Sequence, residues 1–156
     1  VFERLKKIIV DPVTEIEPNN ILGEELYKIG YQSNEMLFEK LDSRIQSLMG
    51  QGVAMHRISV ISLNEDLKKK YLASSSLSDK IADIHEMGAF IEMQKVTVAE
   101  VHEFKGLEND HILLIGLDRS MNELSKELYV AISRAKLGLS LFTPFSKLPE
   151  YMTIYS

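Results

Sequence analysis

The 156-residue sequence contains no cysteine, which excludes a disulfide framework and every thiolate metal site and is the expected usage of a reducing compartment. It has no apolar run near the roughly 18 residues a membrane span requires, and its first residues alternate charge with hydrophobe where a secretory signal would be continuous. A soluble, cytoplasmic protein with no membrane partner is expected. Positive charge is also in short supply: Lys and Arg total 18 against 23 Asp and Glu, a net charge of −5. Strong, sequence-wide binding to phosphate backbones draws on a basic excess, so any contact with nucleic acid is expected to be local. Also missing is the Gly-x-x-x-x-Gly-Lys-Ser/Thr loop that cradles nucleotide phosphates, together with a strand ending in Asp-Glu to hold Mg²⁺. Their absence excludes a self-contained phosphotransfer enzyme of that type. There is no internal repeat and no low-complexity tail.

What is present suits one globular domain, since 45% of the residues are hydrophobic and 26% charged, enough for a single core. Residues 1–32 are read as an N-terminal adaptor or linker, because the apolar face of Leu5, Ile8 and Ile9 is interrupted by Pro12 and Pro18. A domain is expected over 33–156. Ser33 is a good N-cap ahead of Leu37, Leu41, Ile45 and Leu48 at helical spacing, with Gly50 and Gly52 as the stop. Arg57 to Leu63 reads as a β-branched strand, and Asn64 as the cap of a second helix through Leu67 and Tyr71. In that helix Lys68, Lys69 and Lys70 are expected on a solvated face.

The stretch from Ser74 to Lys95 is ambiguous. VTVAEV and HILLIGL then read as two buried strands separated by a glycine-containing turn, and Leu124, Leu128, Ala131, Ile132 and Ala135 as a helix running to Gly138 before the strand LSLF. Strands alternating with helices predict an α/β fold with a largely parallel sheet covered on both faces. In such sheets functional loops gather beyond the carboxyl ends of the strands, which directs attention to His102-Glu103-Phe104-Lys105-Gly106-Leu107-Glu108. On composition that is a polar turn, just as Arg134, in line with Glu127 on the last helix, is on periodicity a rim ion-pair partner. The histidines at 56, 85, 102 and 111 show no metal-ligand spacing, and no metal site is expected within the chain.

Together the two segments say more. VHEFKGLENDHILLIGL, which overlaps a motif placed at 96–108, resembles motif V of UvrD/Rep-type superfamily 1 DNA helicases, and ELYVAISRAKLGLSLF, with its motif at 127–136, resembles their motif VI. Their order, their separation of about 20 residues and the strand between them fit one topology. The resemblance implies a three-layer RecA-like (P-loop NTPase-like) fold, in which this chain is the second of two RecA-like domains and the first, absent here, holds ATP and Mg²⁺. It implies Arg134 as the arginine finger and a catalytic residue, Gly106 and Glu108 beside the nucleotide with Glu108 at the ribose, and His102 and Lys105 coupling the ATP cleft to single-stranded DNA. The partners it implies are the first RecA-like domain of the same parent chain, single-stranded DNA and a possible protein partner.

This stretch alone is then expected to be inactive. Two positions depart from the motif. Glu100 stands where the family usually has threonine, placing a carboxylate where a DNA phosphate would approach, and Asn109 replaces an aromatic. The rival reading is a degenerate, non-catalytic RecA-like module for protein interaction, which the acidic balance and Glu100 support.

Overall fold

The computed structural model describes residues 25–87, 94–104, 108–119, 123 and 125–147. In chain order the elements are β1 (Glu25–Tyr31), α1 (Asn34–Gly50), β2 (Ile58–Ser62), α2 (Glu65–Ser74), β3 (Ile81–Asp83), α3 (Ile84–Met87), β4 (Val96–Glu100), β5 (Asn109–Ile115), α4 (Ser125–Ser133) and β6 (Ala135–Pro144), with single 3₁₀ turns at Met55–Arg57 and Phe145–Lys147. All six strands are parallel and lie in the order β1-β6-β5-β2-β4-β3. This is a three-layer α/β fold, as expected. β1 lies on the far side of the boundary read at residue 32, so the sheet reaches into the segment read as an adaptor.

The strand period of two divides the apolar side chains between the faces. Ile58 and Val60, Val96 and Val98, and Leu113 and Ile115 join Leu37, Leu41, Ile45, Leu48 and Tyr71 from α1 and α2 in one core. Ile61, Ala99, Ile112, Leu114, Leu139 and Leu141 point the other way, onto Leu128, Ala131 and Ile132 of α4. Burial on both sides explains why these strands are continuous apolar runs in sequence.

Both read helix starts are capped. Ser33 accepts from Met36 N at 3.2 Å and Asn64 Oδ1 accepts from Leu67 N at 3.1 Å, each satisfying an amide with no partner in the first turn. Three boundaries differ from expectation. HILLIGL leaves the sheet at Ile115 because Gly116 adopts φ +86°, with its α-carbon packed so closely on β2's exit that a Cβ would meet Leu63 N at 2.8 Å. α4 ends at Ser133, whose hydroxyl bonds back to Val130 O at 2.8 Å, and Arg134 is a turn residue whose carbonyl accepts Asn109 N at 3.0 Å. That bond brings Ala135 opposite Asn109, so Ala135 to Gly138 extend β6 where a helix was expected.

The third difference concerns the residues between β4 and β5. Because β4 and β5 are both parallel to β2, which lies between them, the chain leaves the sheet at the carboxyl end of β4 and re-enters it at the amino end of β5.

Candidate functional site beside the fourth helix

A groove of about 350 Å³ runs along α4, lined by Val101, His102, Lys126, Glu127, Val130 and Arg134. The spacing of the four α4-derived positions explains their convergence, since residues three and four apart share a helix face and Arg134 continues that face one residue beyond the last helical turn. The opposite wall is the turn that follows β4. There Glu103 N and Phe104 N donate to Glu100 O at 2.9 and 3.3 Å, while Val101 N donates to Ser62 O at 3.0 Å and ties the turn to β2. Val101 and Phe104 bury into the core, which leaves His102 facing out.

Arg134 is partly buried, and its Nε is a buried donor with no hydrogen-bond partner among the described residues. Such a group costs stability unless something outside the described residues accepts from it. Lys126 adds a second cation to the groove and Glu127 one carboxylate. A guanidinium, an ammonium and an imidazole thus line one open groove, and each is a donor that an anionic ligand can use.

His102 is 71% exposed, and its Nε2 lies 2.8 Å from Glu100 Oε1. The carboxylate flagged as a departure from the motif thus faces the imidazole directly. Glu108 does not line the groove: it sits at the opposite end of the sheet from His102, 3.3 Å from Lys136 Nζ, one residue from the Asn109 amide that holds Arg134 O. The structure brings Arg134 and His102 to one groove, and Glu108 close to the backbone of Arg134. His102 follows the carboxyl end of β4 and Glu108 precedes the amino end of β5, so the two ends of the seven-residue string lie at opposite ends of the sheet. Lys105 and Gly106 lie outside the described residues. Lys126 and Val130 were missed, although their spacing from Arg134 was readable.

The lysine run is also corrected. Lys69 and Lys70 are exposed and pair with Glu65 and Asp66 one turn earlier, at 3.3 and 2.9 Å, but Lys68 is only 5% exposed. Its ammonium contacts Asp83 at 3.1 Å and Glu103 at 2.6 Å. Glu103 Oε1 also accepts Glu100 N at 2.8 Å, and Oε2 meets His85 Nε2. Burial alone would raise the Glu103 carboxyl, but the Lys68 and Glu100 hydrogen bonds and the Lys68 charge outweigh it and hold the group below its usual 4.5. Burial likewise opposes the Lys68 charge, yet the two carboxylates keep the ammonium above its usual 10.5. Asp83, His85 and Glu103 present ligand atoms within 4.8 Å of one another, in a cluster whose cation is already supplied by Lys68.

A larger concavity, about 730 Å³, lies between α1 and the turn after α2 and is lined by Glu35, Phe38, Glu39, Asp42, Ser43, Gln46, Ser74 and Ser76. Its carboxylates repel phosphate, so the smaller groove is the better candidate for an anionic ligand. Among the described residues, no helix is long and apolar enough to cross a membrane.

Comparison with known proteins agrees with the fold. The family model of the viral superfamily 1 RNA helicase core domain matches residues 32–143. The structure is similar to the C-terminal domain of a possible DNA helicase from Lactobacillus plantarum WCFS1, with a TM-score of 0.61 at 16% identity over 92% of this chain and 83% of that one. It is also similar to an XPD helicase, with a TM-score of 0.51 at 12% identity over 84% of this chain, where it spans 33% of the larger chain. No curated protein sequence matches.

Proposed function

The chain belongs to the viral superfamily 1 RNA helicase core-domain family, and from that membership we propose that it is the second RecA-like domain of an ATP-driven superfamily 1 helicase, with Arg134 as its arginine finger. The observation that carries this reading is the Arg134 guanidinium itself, set on the wall of an open groove with a buried Nε that has no hydrogen-bond partner among the described residues. An arginine keeps its charge and presents a planar fork that can bind two phosphate oxygens, which lysine cannot reproduce.

ATP with Mg²⁺, held mainly by the first RecA-like domain of the parent chain, would supply the phosphoryl bond whose cleavage drives movement. Arg134 would stabilise the negative charge that builds on the transferring group, and Lys126, which lines the same groove, would add positive potential along the approach. Glu108 and Gly106 are assigned to the nucleotide side through their motif positions, His102 and Lys105 to coupling with the strand. The strand is single-stranded nucleic acid. Resemblance to the UvrD/Rep motifs favours DNA, and comparing stimulation of ATPase activity by single-stranded DNA and RNA decides it.

Arg134→Ala in the full-length protein is expected to lower nucleic-acid-stimulated ATP turnover by around 10³, with Arg134→Lys giving little rescue. Near-normal turnover in the alanine variant refutes the assignment. The Glu100–His102 pair supports the second reading, a domain retained for protein interaction, because a phosphate reaching His102 must displace a carboxylate. A parent without a phosphate-binding loop, whose Arg134→Ala variant nevertheless keeps its protein contacts, would establish that alternative.

A further inference from the structure

Lys68 belongs to neither motif, yet the ion pairs around it converge on the turn that forms one wall of the Arg134 groove. It projects from α2 and is withdrawn from solvent, with 7% of its side chain exposed. Removing an ammonium from water is favourable only where carboxylates and hydrogen bonds replace the lost hydration. Two do so here: Asp83, at the end of β3, and Glu103, three residues past the end of β4. The Glu103 oxygen that meets Lys68 is also the one that accepts Glu100 N. One carboxylate therefore closes the turn on itself and fastens it to α2.

His102, on that same turn, is exposed and lines the groove along α4. Val101 and Phe104 hold the turn's apolar underside in the core on α4's side of the sheet. Lys68 supplies its only described ionic attachment to α2, while His85 caps the remaining oxygen of Glu103.

Resting on the function proposed above, we infer that Lys68 is a positioning residue: acting through Glu103, it fixes the turn after β4 so that His102 keeps its place opposite Arg134. A tether of this kind acts on communication between the nucleic-acid and nucleotide sides, without touching either ligand. Its loss should reduce coupling more than it alters ATP affinity.

The test uses the full-length protein, with ATP turnover measured with and without single-stranded nucleic acid, and melting temperature recorded alongside. Lys68→Met is expected to cut the ratio of stimulated to unstimulated turnover about tenfold, leaving KM for ATP within about twofold of its starting value. Lys68→Arg, which keeps the positive charge and offers a donor to each carboxylate, is expected to restore most of that ratio. Because Lys68→Met strands Glu103, the double variant Lys68→Met/Glu103→Gln removes both charges together. It is expected to regain melting temperature while the ratio stays low.

Recovery of the ratio together with stability in the double variant would show that the pair only holds the fold, and would overturn the inference. So would a normal ratio in Lys68→Met. Arg134→Ala, run in the same assay, separates the two readings: full turnover there refutes the arginine-finger assignment and takes this inference with it.

Discussion

Asp42→Ala tests the packing of α1 against α2 and the turn that follows it. Asp42 is 6% exposed and accepts four hydrogen bonds: from Tyr71 OH at 2.7 Å, Ser75 Oγ at 2.8 Å, Ser76 N at 3.0 Å and Ser76 Oγ at 2.9 Å. Truncation orphans these donors unequally. Ser76 is exposed, so water replaces its lost acceptor at little cost. Tyr71 is wholly buried and Ser75 nearly so, and each buried donor left unsatisfied costs about 1–3 kcal/mol. The expected loss is about 4 kcal/mol. With a urea m-value of about 2 kcal/mol/M for a domain of this size, the midpoint falls by about 2 M. Tyr71→Phe is the control, because it removes one donor and leaves Asp42 its other three partners. It should cost about 1 kcal/mol, close to the net worth of an ordinary hydrogen bond. Burial and the Asp42 hydrogen bond already hold the Tyr71 hydroxyl far above its usual pKa, so it remains a donor throughout the titration. The assay is urea unfolding followed by far-ultraviolet circular dichroism. An Asp42→Ala midpoint within about 0.5 M of the starting protein, or a larger loss in Tyr71→Phe, would refute the claim that desolvated donors dominate here.

Gly116→Ala must combine a left-handed backbone with a Cβ placed 2.8 Å from Leu63 N and 3.0 Å from Asn64 N, and is expected to cost about 2 kcal/mol or more in the same unfolding assay; a neutral result would mean that the β2 exit can yield. The Lys68 cluster has its own pH signature. Glu103 is depressed in the fold, so its contribution is present above 4.5 and lost as pH falls through its lower folded value; Lys68 is raised, so its contribution is present below 10.5 and lost as pH rises through its higher folded value. Between those limits the difference in stability between the starting protein and Lys68→Met/Glu103→Gln should be flat with pH, narrowing at both ends, and a slope near neutrality would point to other groups. Breaking the pair with Lys68→Met alone is expected to cost roughly 3 kcal/mol by thermal or urea unfolding, at the low end for a buried pair because Glu103 retains some solvent contact.

The parts of the fold that were readable in sequence are those written locally. Ser33 and Asn64 declare helix starts because a side-chain oxygen three residues ahead of an amide is a local relation. β2, β4 and β5 are legible because a strand covered on both faces needs apolar residues at every position. β1 was not, since Glu25–Tyr31 mixes charged and apolar residues at the sheet's edge and is defined by pairing with β6, more than a hundred residues away. The end of α4 was misplaced because Ala131 to Ala135 satisfy helical spacing, and only the bond from Asn109 to Arg134 O decides that the strand has begun.

At the candidate site, motif resemblance singled out Arg134 and His102, and the groove they share is a finding of the structure. Lys68 illustrates the opposite limit. Three consecutive lysines look solvated, and what sets the first apart is a pair of carboxylates 15 and 35 residues further along the chain.

The attachment of Arg134 to the sheet limits how the finger can be delivered. Its carbonyl is held by the first residue of β5, and the next residue opens β6, which lies between β5 and β1. No loop separates the α-carbon of Arg134 from the sheet. In the proposed enzyme, withdrawal and insertion would then require displacement of the domain as a body, with rotamer changes supplying only the last ångströms of reach. Spectroscopic distances from position 134 to a neighbouring RecA-like lobe should change over the catalytic cycle, while those to β2 stay constant.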